Sequence, residues 1–365
     1  MSDHKKSQLG GTLSRRRFIK QSSTLAVVTA APMIITTRKA SAQPTELNIL
    51  SWYGHAEPDI VEEFEALHNV KFKPKYYAGG DNMLALIAQS PPGTYDIILS
   101  DAEFVQQLNA AGYIETLNPD DYPLDDLFVE YENFPGHWHD GKLFSVILRF
   151  GYLGVSFNTN VISYDEAMDY NVLWSDKLTG KVGHFDWHLP NLGCLSLRDG
   201  NNDPSPFDID DAQWSQLQET TLSLKPQVGG YFDYGGTFSS LKNGEVHAMC
   251  GIGDWITGVL KKDGAPVDSV VPNQGGIQWT ESFSIGKGSE KQDLVKKFIK
   301  YMTSGPGQVR SVGMLAYPAM SPYKSGWTAL NQANPAEAKR QRMNLDGPNC
   351  IDDIREGRIH FRRTP

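Results

Sequence analysis

The chain has 365 residues, which is long enough for two domains or for one large domain with insertions. Hydrophobic residues make up 40% of it and aromatic residues 11%, so a disordered chain is not the default. Residues 1–42 hold eight of the 34 basic side chains and one of the 43 acidic ones, which leaves a formal charge of −16 on residues 43–365. Such a surface disfavours nucleic acid and attracts cationic solutes.

The first 42 residues have the features of an export signal in the right order. SRRRFIK at 14–20 is followed by the modest apolar segment QSSTLAVVTAAPMII and by ASA at 40–42, a small-residue cleavage pattern. This is the twin-arginine form of a bacterial signal, and an amphipathic basic helix is the disfavoured alternative. The apolar run at 25–35 is too short to span a membrane. We therefore predict removal of residues 1–42 and a soluble, periplasmic mature protein exported by the twin-arginine machinery.

Strand-like and helix-like segments alternate after the signal. In chain order they are LNILSWYG, PDIVEEFEALHN, VKFKPKYY, DNMLALIAQ, YDIILS and DAEFVQQLNAAG. Asp81 and Asp101 are the predicted caps of the second and third helices. Repeated units of this kind form a parallel sheet flanked by helices, and ligands gather at the carboxyl ends of its strands. This rule places five side chains near one crevice: Trp52, Tyr53, His55, Asp101 and Glu103.

Two extended apolar segments predict connections between two lobes. LFSVILRFGYLGVSFN at 143–158 is too long and too apolar for a surface linker, and GGIQWTESFSIG at 275–286 alternates as a strand does. A helix follows the second segment, with Ser289 and Gln292 as a predicted capping box. The predicted fold class is an α/β protein with two lobes, each a mostly parallel sheet flanked by helices. Lobe 1 comprises residues 43–148 plus 275–365, and lobe 2 comprises residues 149–274.

Glu281 lies on the buried face of the second crossing segment, together with Trp279. An ionisable acid on a buried face requires a cation, and an indole face attracts one. Arg149 lies in the first crossing segment and requires a carboxylate for the same reason. Two pairings stay open. Arg149 pairs with Glu281, or each of them meets an opposite charge on a bound solute.

Two further acids stand beside tryptophans. Asp186 precedes Trp187, and Asp254 precedes Trp255. Three acid and indole combinations in one acidic protein favour a cationic ligand. The sequence has no GxSxG, no HExxH and no phosphate-binding loop, so enzyme activity is disfavoured.

Metal and cofactor sites are also disfavoured by the pattern of ligating residues. His184 and His188 are four residues apart, but the segment between them has strand and turn character. Cys194, Cys250 and Cys350 are far apart and include no CxxC spacing. An oxidising compartment permits one disulfide among them, whose pairing the sequence leaves open. We expect no metal and no cofactor.

Taken in order, these segments resemble the spermidine/putrescine (polyamine) class of periplasmic solute-binding proteins of ABC importers. The resemblance runs through LNILSWYG, YDIILSDAEFVQQLNAAGYIETLN, GYLGVSFN, LWSDKLTGKV, GGIQWTESFSIG and VGMLAYPAMSP. It implies a two-lobed fold, capture of a polyamine or related amine between the lobes, and delivery of that solute to an inner-membrane ABC permease. It implies no enzyme activity.

The resemblance also implies roles for individual residues. Trp279 and Glu281 match a family strand that supplies an aromatic wall and an acid for a ligand ammonium. Trp52 is similar to the family's first-strand aromatic residue, and Asp186 falls at an acidic cluster of the second lobe. The sequence departs from the family near His55 and Glu103, where tyrosines are replaced, and at Trp255, which comes a few places late. The ligand therefore stays open between a polyamine and a zwitterionic or carboxylated solute bound through Arg149, with a cofactor-independent enzyme as a third alternative.

Overall fold

The computed structural model describes residues 43–361. The predicted signal peptide, residues 1–42, lies outside the described residues. Among the helices of residues 43–361, none has both the length and the apolar character needed to cross a membrane.

The described residues contain twelve strands and fourteen α-helices. The strands are Thr45–Ser51 (β1), Val70–Tyr76 (β2), Ile97–Asp101 (β3), Trp138–His139 (β4), Lys142–Leu143 (β5), Val146–Asn158 (β6), Val182–Phe185 (β7), Val228–Phe232 (β8), Ala248–Ile252 (β9), Val267–Val270 (β10), Gly276–Ile285 (β11) and Ile359–Phe361 (β12). The helices are Pro58–His68 (α1), Gly80–Ala88 (α2), Val105–Ala110 (α3), Val129–Glu132 (α4), Tyr164–Ala167 (α5), His188–Arg198 (α6), Asp211–Ser223 (α7), Tyr234–Lys242 (α8), Asp254–Lys262 (α9), Gln292–Met302 (α10), Gly305–Val312 (α11), Lys324–Ala333 (α12), Pro335–Arg340 (α13) and Cys350–Arg355 (α14).

Ten of these strands form one sheet with two parallel groups. Its order is β2-β1-β3-β11-β6-β9-β7-β8, with β10 beside β6 and β12 beside β11. The first strand group is β1, β2 and β3, and the second strand group is β7, β8 and β9; within each group neighbouring strands pair in parallel. Between them, β6 and β11 run antiparallel to each other and to the strand group that each one contacts. The two apolar segments of the sequence are therefore the strands that join the groups.

The two joining strands are buried along almost their whole length. Twelve of the thirteen residues of β6 are buried, as are all ten residues of β11. Helices α6 and α10 pack against β11, and α9 and α11 pack against β6. A charged side chain on either strand therefore has to find its partner inside the protein. The predicted lobe boundary at residues 148/149 falls within β6, and the lobe limits stay a prediction.

Three helix caps predicted from the sequence are wrong, because the side chains bond elsewhere or sit at another position. Asp81 is the second residue of α2 and does not occupy its N-cap. Asp101 occupies the N-cap position of the 3₁₀ turn Ala102–Phe104 that leads into α3, but its side chain makes no capping hydrogen bond there and accepts one from the Trp52 indole at 3.3 Å. Ser289 lies before the N-cap of α10 and donates to Asp96 at 2.7 Å, so the predicted capping box does not form.

The three cysteines are free thiols, and all of them are buried. Cys194 lies on α6, Cys250 on β9 and Cys350 at the start of α14.

Candidate ligand-binding cleft

One cavity lies where the parallel strands end. β1 is followed by Trp52 and Tyr53, β3 ends at Asp101, β7 is followed by Asp186, and β8 is followed by Asp233. The cavity has a volume of about 1040 Å³, counting the solvent at its mouth. It is lined by Trp52, Tyr53, Tyr77, Ala78, Gly79, Asp101, Leu153, Phe185, Asp186, Trp187, Pro190, Asp233, Tyr234, Gly251, Trp255, Trp279, Glu281 and Tyr317. The strand ends of an α/β sheet thus form the cleft, as the sequence predicted.

Seven of the eleven candidate residues line this cavity. They are Trp52, Tyr53, Asp101, Asp186, Trp255, Trp279 and Glu281. The remaining four, His55, Glu103, Arg149 and Asp254, lie outside the lining.

Three charged side chains form a row across the sheet at the floor of the cavity. In the strand register Glu281 of β11 stands opposite Asp101 of β3 on one side and opposite Arg149 of β6 on the other. All three are buried, with Asp101 at 3% exposure and Glu281 at 2%. The register therefore places Glu281 between the Arg149 guanidinium and the Asp101 carboxylate.

The guanidinium of Arg149 interacts with groups of the protein itself. Its Nε donates to Glu281 Oε2 at 2.6 Å, and Nη1 donates to the carbonyl oxygen of Ser311 at 2.8 Å. Its Nη2 lies 2.9 Å from His55 Nε2, and the Tyr317 ring centroid is 4.3 Å from Cζ. Burial alone would lower the pKa of Arg149, but the Glu281 carboxylate raises it, so the group stays charged. Of the two pairings left open by the sequence, the structure contains the one between Arg149 and Glu281.

Glu281 has both carboxylate oxygens engaged. Oε1 accepts from the Tyr317 hydroxyl at 2.6 Å, while Oε2 accepts from Arg149 and lies 3.1 Å from His55 Nε2. Burial alone would raise the pKa of Glu281, but the charge of Arg149 and the contacts with His55 and Tyr317 lower it to about 2. The pair of Arg149 and Glu281 is therefore ionised at neutral pH and has no net charge.

The remaining three candidates outside the lining have local explanations. His55 is 1% exposed and lies behind Glu281, where burial lowers its pKa and keeps it neutral at pH 7. Asp254, the first residue of α9, accepts a hydrogen bond from Arg340 Nη1 of α13 at 2.5 Å. Glu103 is half-buried in the turn Ala102–Phe104 after β3. As ligand contacts these three predictions are not supported by the geometry.

An aromatic cluster forms around Trp52, whose indole donates to Asp101. The Trp52 ring lies 4.8 Å from the Tyr77 ring and 5.9 Å from the Trp187 ring, measured between centroids. Trp187 is the N-cap residue of α6 and comes from the second strand group's side of the cavity, whereas Trp52 and Tyr77 follow β1 and β2. Rings from both sides of the cavity therefore pack against Trp52, whose indole donates to Asp101.

A second set of rings connects the exposed Tyr53 to the buried Tyr317. The centroids of Tyr53 and Tyr234 are 6.0 Å apart, Tyr234 stacks on Trp255 at 6.0 Å, and Trp255 meets Tyr317 edge-on at 6.0 Å. The Tyr234 hydroxyl also donates to the carbonyl oxygen of Ala316 at 2.7 Å. This hydrogen bond links the start of α8 to the loop after α11.

Trp279 lies flat against β6 because the residue opposite it is a glycine. Gly151 is its partner in the strand register, and a β-carbon at Gly151 would stand 2.5 Å from the indole ring. No other residue at that position leaves room for the ring.

Three acids remain after the internal pair is set aside. Asp101 lies on the buried floor, whereas Asp186 and Asp233 are exposed. The last two are neighbours, because Phe185 and Phe232 pair in register just before them. None of the described residues that line the cavity is Lys, Arg or His. The cleft therefore has an excess of negative charge.

Eleven of the eighteen lining residues were not among the predicted site residues, and they include Asp233, Tyr234, Trp187, Tyr77 and Tyr317. Asp233 and Tyr234 follow the end of β8, so the rule that selected Trp52 could have found them. Trp187 follows Asp186 directly and Tyr77 follows β2. Tyr317 lies in a loop with no periodic pattern, and no sequence signal marks it.

The histidine pair considered for a metal does not converge. His184 is buried on β7 with its Nδ1 3.3 Å from Asn191 Oδ1, whereas His188 is exposed at the start of α6. Throughout residues 43–361, no group of three or more His, Cys, Asp or Glu side chains is arranged to hold a metal ion.

Comparisons with known proteins agree with this architecture. The spermidine/putrescine-binding periplasmic protein 1 of Haemophilus influenzae is 24% identical over 290 residues, which cover 77% of each chain. The putrescine/cadaverine-binding protein of Pseudomonas aeruginosa is 25% identical over 289 residues, covering 75% of this chain and 79% of that protein.

Among solved structures, a putative spermidine/putrescine ABC transporter protein of Listeria monocytogenes superimposes with a TM-score of 0.73. The identity is 16%, and the match covers 87% of this chain and 93% of the other, so the likeness shows the fold. The predicted two-lobed α/β fold is thereby confirmed. The sequence model of the family described as bacterial extracellular solute-binding protein matches residues 59–324, which is more than half of the chain. The protein belongs to this family of extracellular solute-binding proteins.

Proposed function

We propose that this protein captures a small organic cation, an amine of the polyamine class such as putrescine or spermidine, and delivers it to an ABC permease of the inner membrane. One observation carries the proposal: nine aromatic rings and four carboxylates line the cleft, and none of the described lining residues is basic. A cation gains about 0.5–2 kcal/mol over each suitable ring and is attracted by the carboxylates of the lining.

The names of the relatives support the same solute class. The Haemophilus influenzae relative is described as spermidine/putrescine-binding and the Pseudomonas aeruginosa relative as putrescine/cadaverine-binding. The match to the family of solute-binding proteins supports a permease as partner and a non-enzymatic role. Location in the periplasm and export through the twin-arginine machinery follow from the sequence of residues 1–42 and belong to the proposal.

A carboxylated or zwitterionic solute fits the cleft less well. Binding such a solute requires a basic side chain in the lining of the cleft. Arg149 is the residue that the sequence predicts for this role. The Arg149 side chain is 0% exposed and its donors bond to Glu281, Ser311 and Tyr317. Repulsion by Asp101, Asp186 and Asp233 would oppose a solute carboxylate further.

Capture is expected to close two lobes around the solute. We assign residues 43–148 and those from 275 onward to one lobe and residues 149–274 to the other. The ring contacts between Trp52 and Trp187 and between Tyr53 and Tyr234 would then join the lobes in the closed form. A solute that touches both lobes stabilises that form by its differential affinity.

Calorimetric titration and thermal unfolding of the purified protein test the function. Putrescine, cadaverine and spermidine are compared with glutamate and acetate. At about 100 times Kd, an amine should raise the midpoint of unfolding by several degrees, whereas the two carboxylates should leave it unchanged. Stabilisation by glutamate or acetate without stabilisation by any amine would refute the proposal.

A further inference from the structure

We propose that Arg340 is a positioning residue for ligand binding: it anchors Asp254 at the start of α9 and so fixes the Trp255 ring in the wall of the cleft. The inference rests on the proposed function, because it concerns the affinity of the same cleft for an amine. It adds to the binding machinery a residue of α13 that does not line the cavity.

The first step is the way in which α9 presents its first two residues. Trp255 lines the cavity, where its ring centroid lies 6.0 Å from those of Tyr234 and Tyr317 and 5.7 Å from that of Phe185. Asp254 directly precedes Trp255 and lies outside the lining. Because the two residues are neighbours in the first turn of one helix, any shift of the Asp254 backbone also moves the indole.

The second step is the contact between Asp254 and α13. Arg340 Nη1 lies 2.5 Å from Oδ1 and 2.6 Å from Oδ2 of Asp254. Glu337 holds the other side of the same guanidinium, since it accepts from Nε at 3.0 Å and from Nη2 at 2.6 Å. A planar guanidinium between two carboxylates has a defined orientation, so Arg340 restrains Asp254 more firmly than a single ammonium would.

The third step is a second link between the same two helices. Lys262, the last residue of α9, donates to Glu337 at 2.9 Å. Glu337 is buried and also accepts from Gln341 at 3.0 Å. Helix α9 is therefore tied to α13 through both its first and its last residue. Because α9 falls in residues 149–274 and α13 in those from 275 onward, this network joins the two proposed lobes.

The fourth step is the space that Gly258 leaves on α9. A β-carbon at this position would stand 2.7 Å from Arg340 Nη1 and 2.9 Å from Asp254 Oδ1. Glycine inside a helix is less favourable than alanine. The glycine thus costs α9 some helix stability and leaves room for the guanidinium to reach Asp254.

Electrostatics alone would give Arg340 the opposite effect on a cationic ligand. A positive charge near the cleft repels an ammonium, so its removal would strengthen amine binding. If Arg340 acts by holding Trp255 in place, its removal weakens binding, because the ring then has to be ordered when the ligand binds. The sign of the change in affinity separates these two roles.

The test measures putrescine affinity by calorimetric titration. The proteins are the wild type, Arg340→Met, Gly258→Ala, Trp255→Leu and the double variant Arg340→Met with Trp255→Leu. The control is Arg355→Met, since Arg355 of α14 forms an ion pair with Glu130 of α4 at 2.5 Å and neither residue lines the cavity. Circular dichroism verifies that each variant is folded.

Arg340→Met and Gly258→Ala should each weaken putrescine binding by about 3- to 10-fold, which is the effect of ordering one side chain on binding. In the Trp255→Leu background, Arg340→Met should change the affinity by less than about twofold. Arg355→Met should leave the affinity unchanged. Unchanged or tighter binding in Arg340→Met or Gly258→Ala would overturn the inference. So would an equal loss of affinity in the Trp255→Leu background or in Arg355→Met.

Fluorine NMR of protein labelled with fluorotryptophan reports on Trp255 directly. The Trp255 resonance is assigned by its loss in Trp255→Leu. It should shift or broaden in Arg340→Met and stay in place in Arg355→Met, since only the first substitution releases the start of α9. An identical Trp255 resonance in the wild type and Arg340→Met would also overturn the inference.

The outcomes separate this inference from the proposed function. If the wild type binds no amine, the proposed function fails, and the Trp255 resonance still shows whether Arg340 positions the ring. If the wild type binds amines and Arg340→Met binds them equally well, only the inference fails. Should Arg340→Met not fold, Gly258→Ala decides the question alone, because it adds one methyl group beside the guanidinium and changes no charge.

Discussion

The Nε atom of Arg149 lies 2.6 Å from Oε2 of Glu281, and the two side chains are 0% and 2% exposed. They come from β6 and β11, the two strands that join the parallel groups of the sheet. The pair is thus a fixed internal feature of the cleft floor. Removing one partner of this pair should therefore lower the free energy of unfolding more than removing one partner of an ion pair on the surface.

Breaking this pair from one side should destabilise the fold. Arg149→Met leaves a buried carboxylate and Glu281→Gln leaves a buried guanidinium, so each should lower the free energy of unfolding by about 3–5 kcal/mol. The double variant should recover most of that loss. Urea unfolding of the four proteins in a double-mutant cycle gives the coupling energy.

The matched control for the buried pair is the exposed ion pair of Lys73 and Glu46, 3.1 Å apart. Lys73→Met should change the free energy of unfolding by only about 0–1 kcal/mol. If Lys73→Met and Arg149→Met lowered the free energy of unfolding equally, burial would not be the reason why breaking the Arg149 and Glu281 pair is costly.

The stability that Glu281 contributes should disappear in acid. Its pKa is lowered from 4.5 to about 2, so its carboxylate stabilises the folded state fully above pH 4.5. The contribution is lost as pH falls from 4.5 to about 2, because the unfolded state takes up the proton first. Urea unfolding between pH 5 and pH 3 should therefore show the wild type losing stability relative to the Arg149→Met, Glu281→Gln double variant, which has no carboxyl at position 281. A difference independent of pH would argue against an ionised Glu281.

Gly151 should be intolerant of any side chain. Because a β-carbon there would stand 2.5 Å from the Trp279 ring, Gly151→Ala should cost about 1–3 kcal/mol of stability and weaken amine binding. Gly235→Ala is the control, since Gly235 is exposed on α8 and a β-carbon there would lie 4.0 Å from its nearest neighbour, Oδ1 of Asp233. That change should be neutral or stabilising by up to about 1 kcal/mol. Thermal unfolding and titration with putrescine measure both effects.

The hydrogen bond between Tyr234 and Ala316 should help to hold the solute. Tyr234→Phe removes the hydroxyl that donates to the carbonyl oxygen of Ala316 at 2.7 Å, and we expect about fivefold weaker amine binding through faster dissociation. Tyr231→Phe, at a side chain that is 69% exposed, should leave affinity and dissociation rate unchanged. Stopped-flow tryptophan fluorescence follows the dissociation. Identical rates in the two variants would show that the bond does not stabilise the closed cleft.

Local sequence patterns predicted the secondary structure well and the helix caps badly. The alternation of LNILSWYG, PDIVEEFEALHN and VKFKPKYY matches β1, α1 and β2, because periodicity reports which face of an element is buried. Caps failed at Asp101 and Ser289, since a side chain with a cap's chemistry can equally bond a distant partner. The Asp101 side chain accepts a hydrogen bond from Trp52, and the Ser289 hydroxyl donates one to Asp96.

The sequence by itself determined the α/β fold, the two joining strands, the burial of Glu281 and the strand ends that form the cleft. Each of these follows from hydrophobic spacing within a short segment or from resemblance along the chain. Only the tertiary structure decided which charges meet. Arg149 and Glu281 are 132 residues apart, and Asp254 and Arg340 are 86 apart. Such pairings depend on strand order and register, which bring together side chains whose local patterns carry no information about one another.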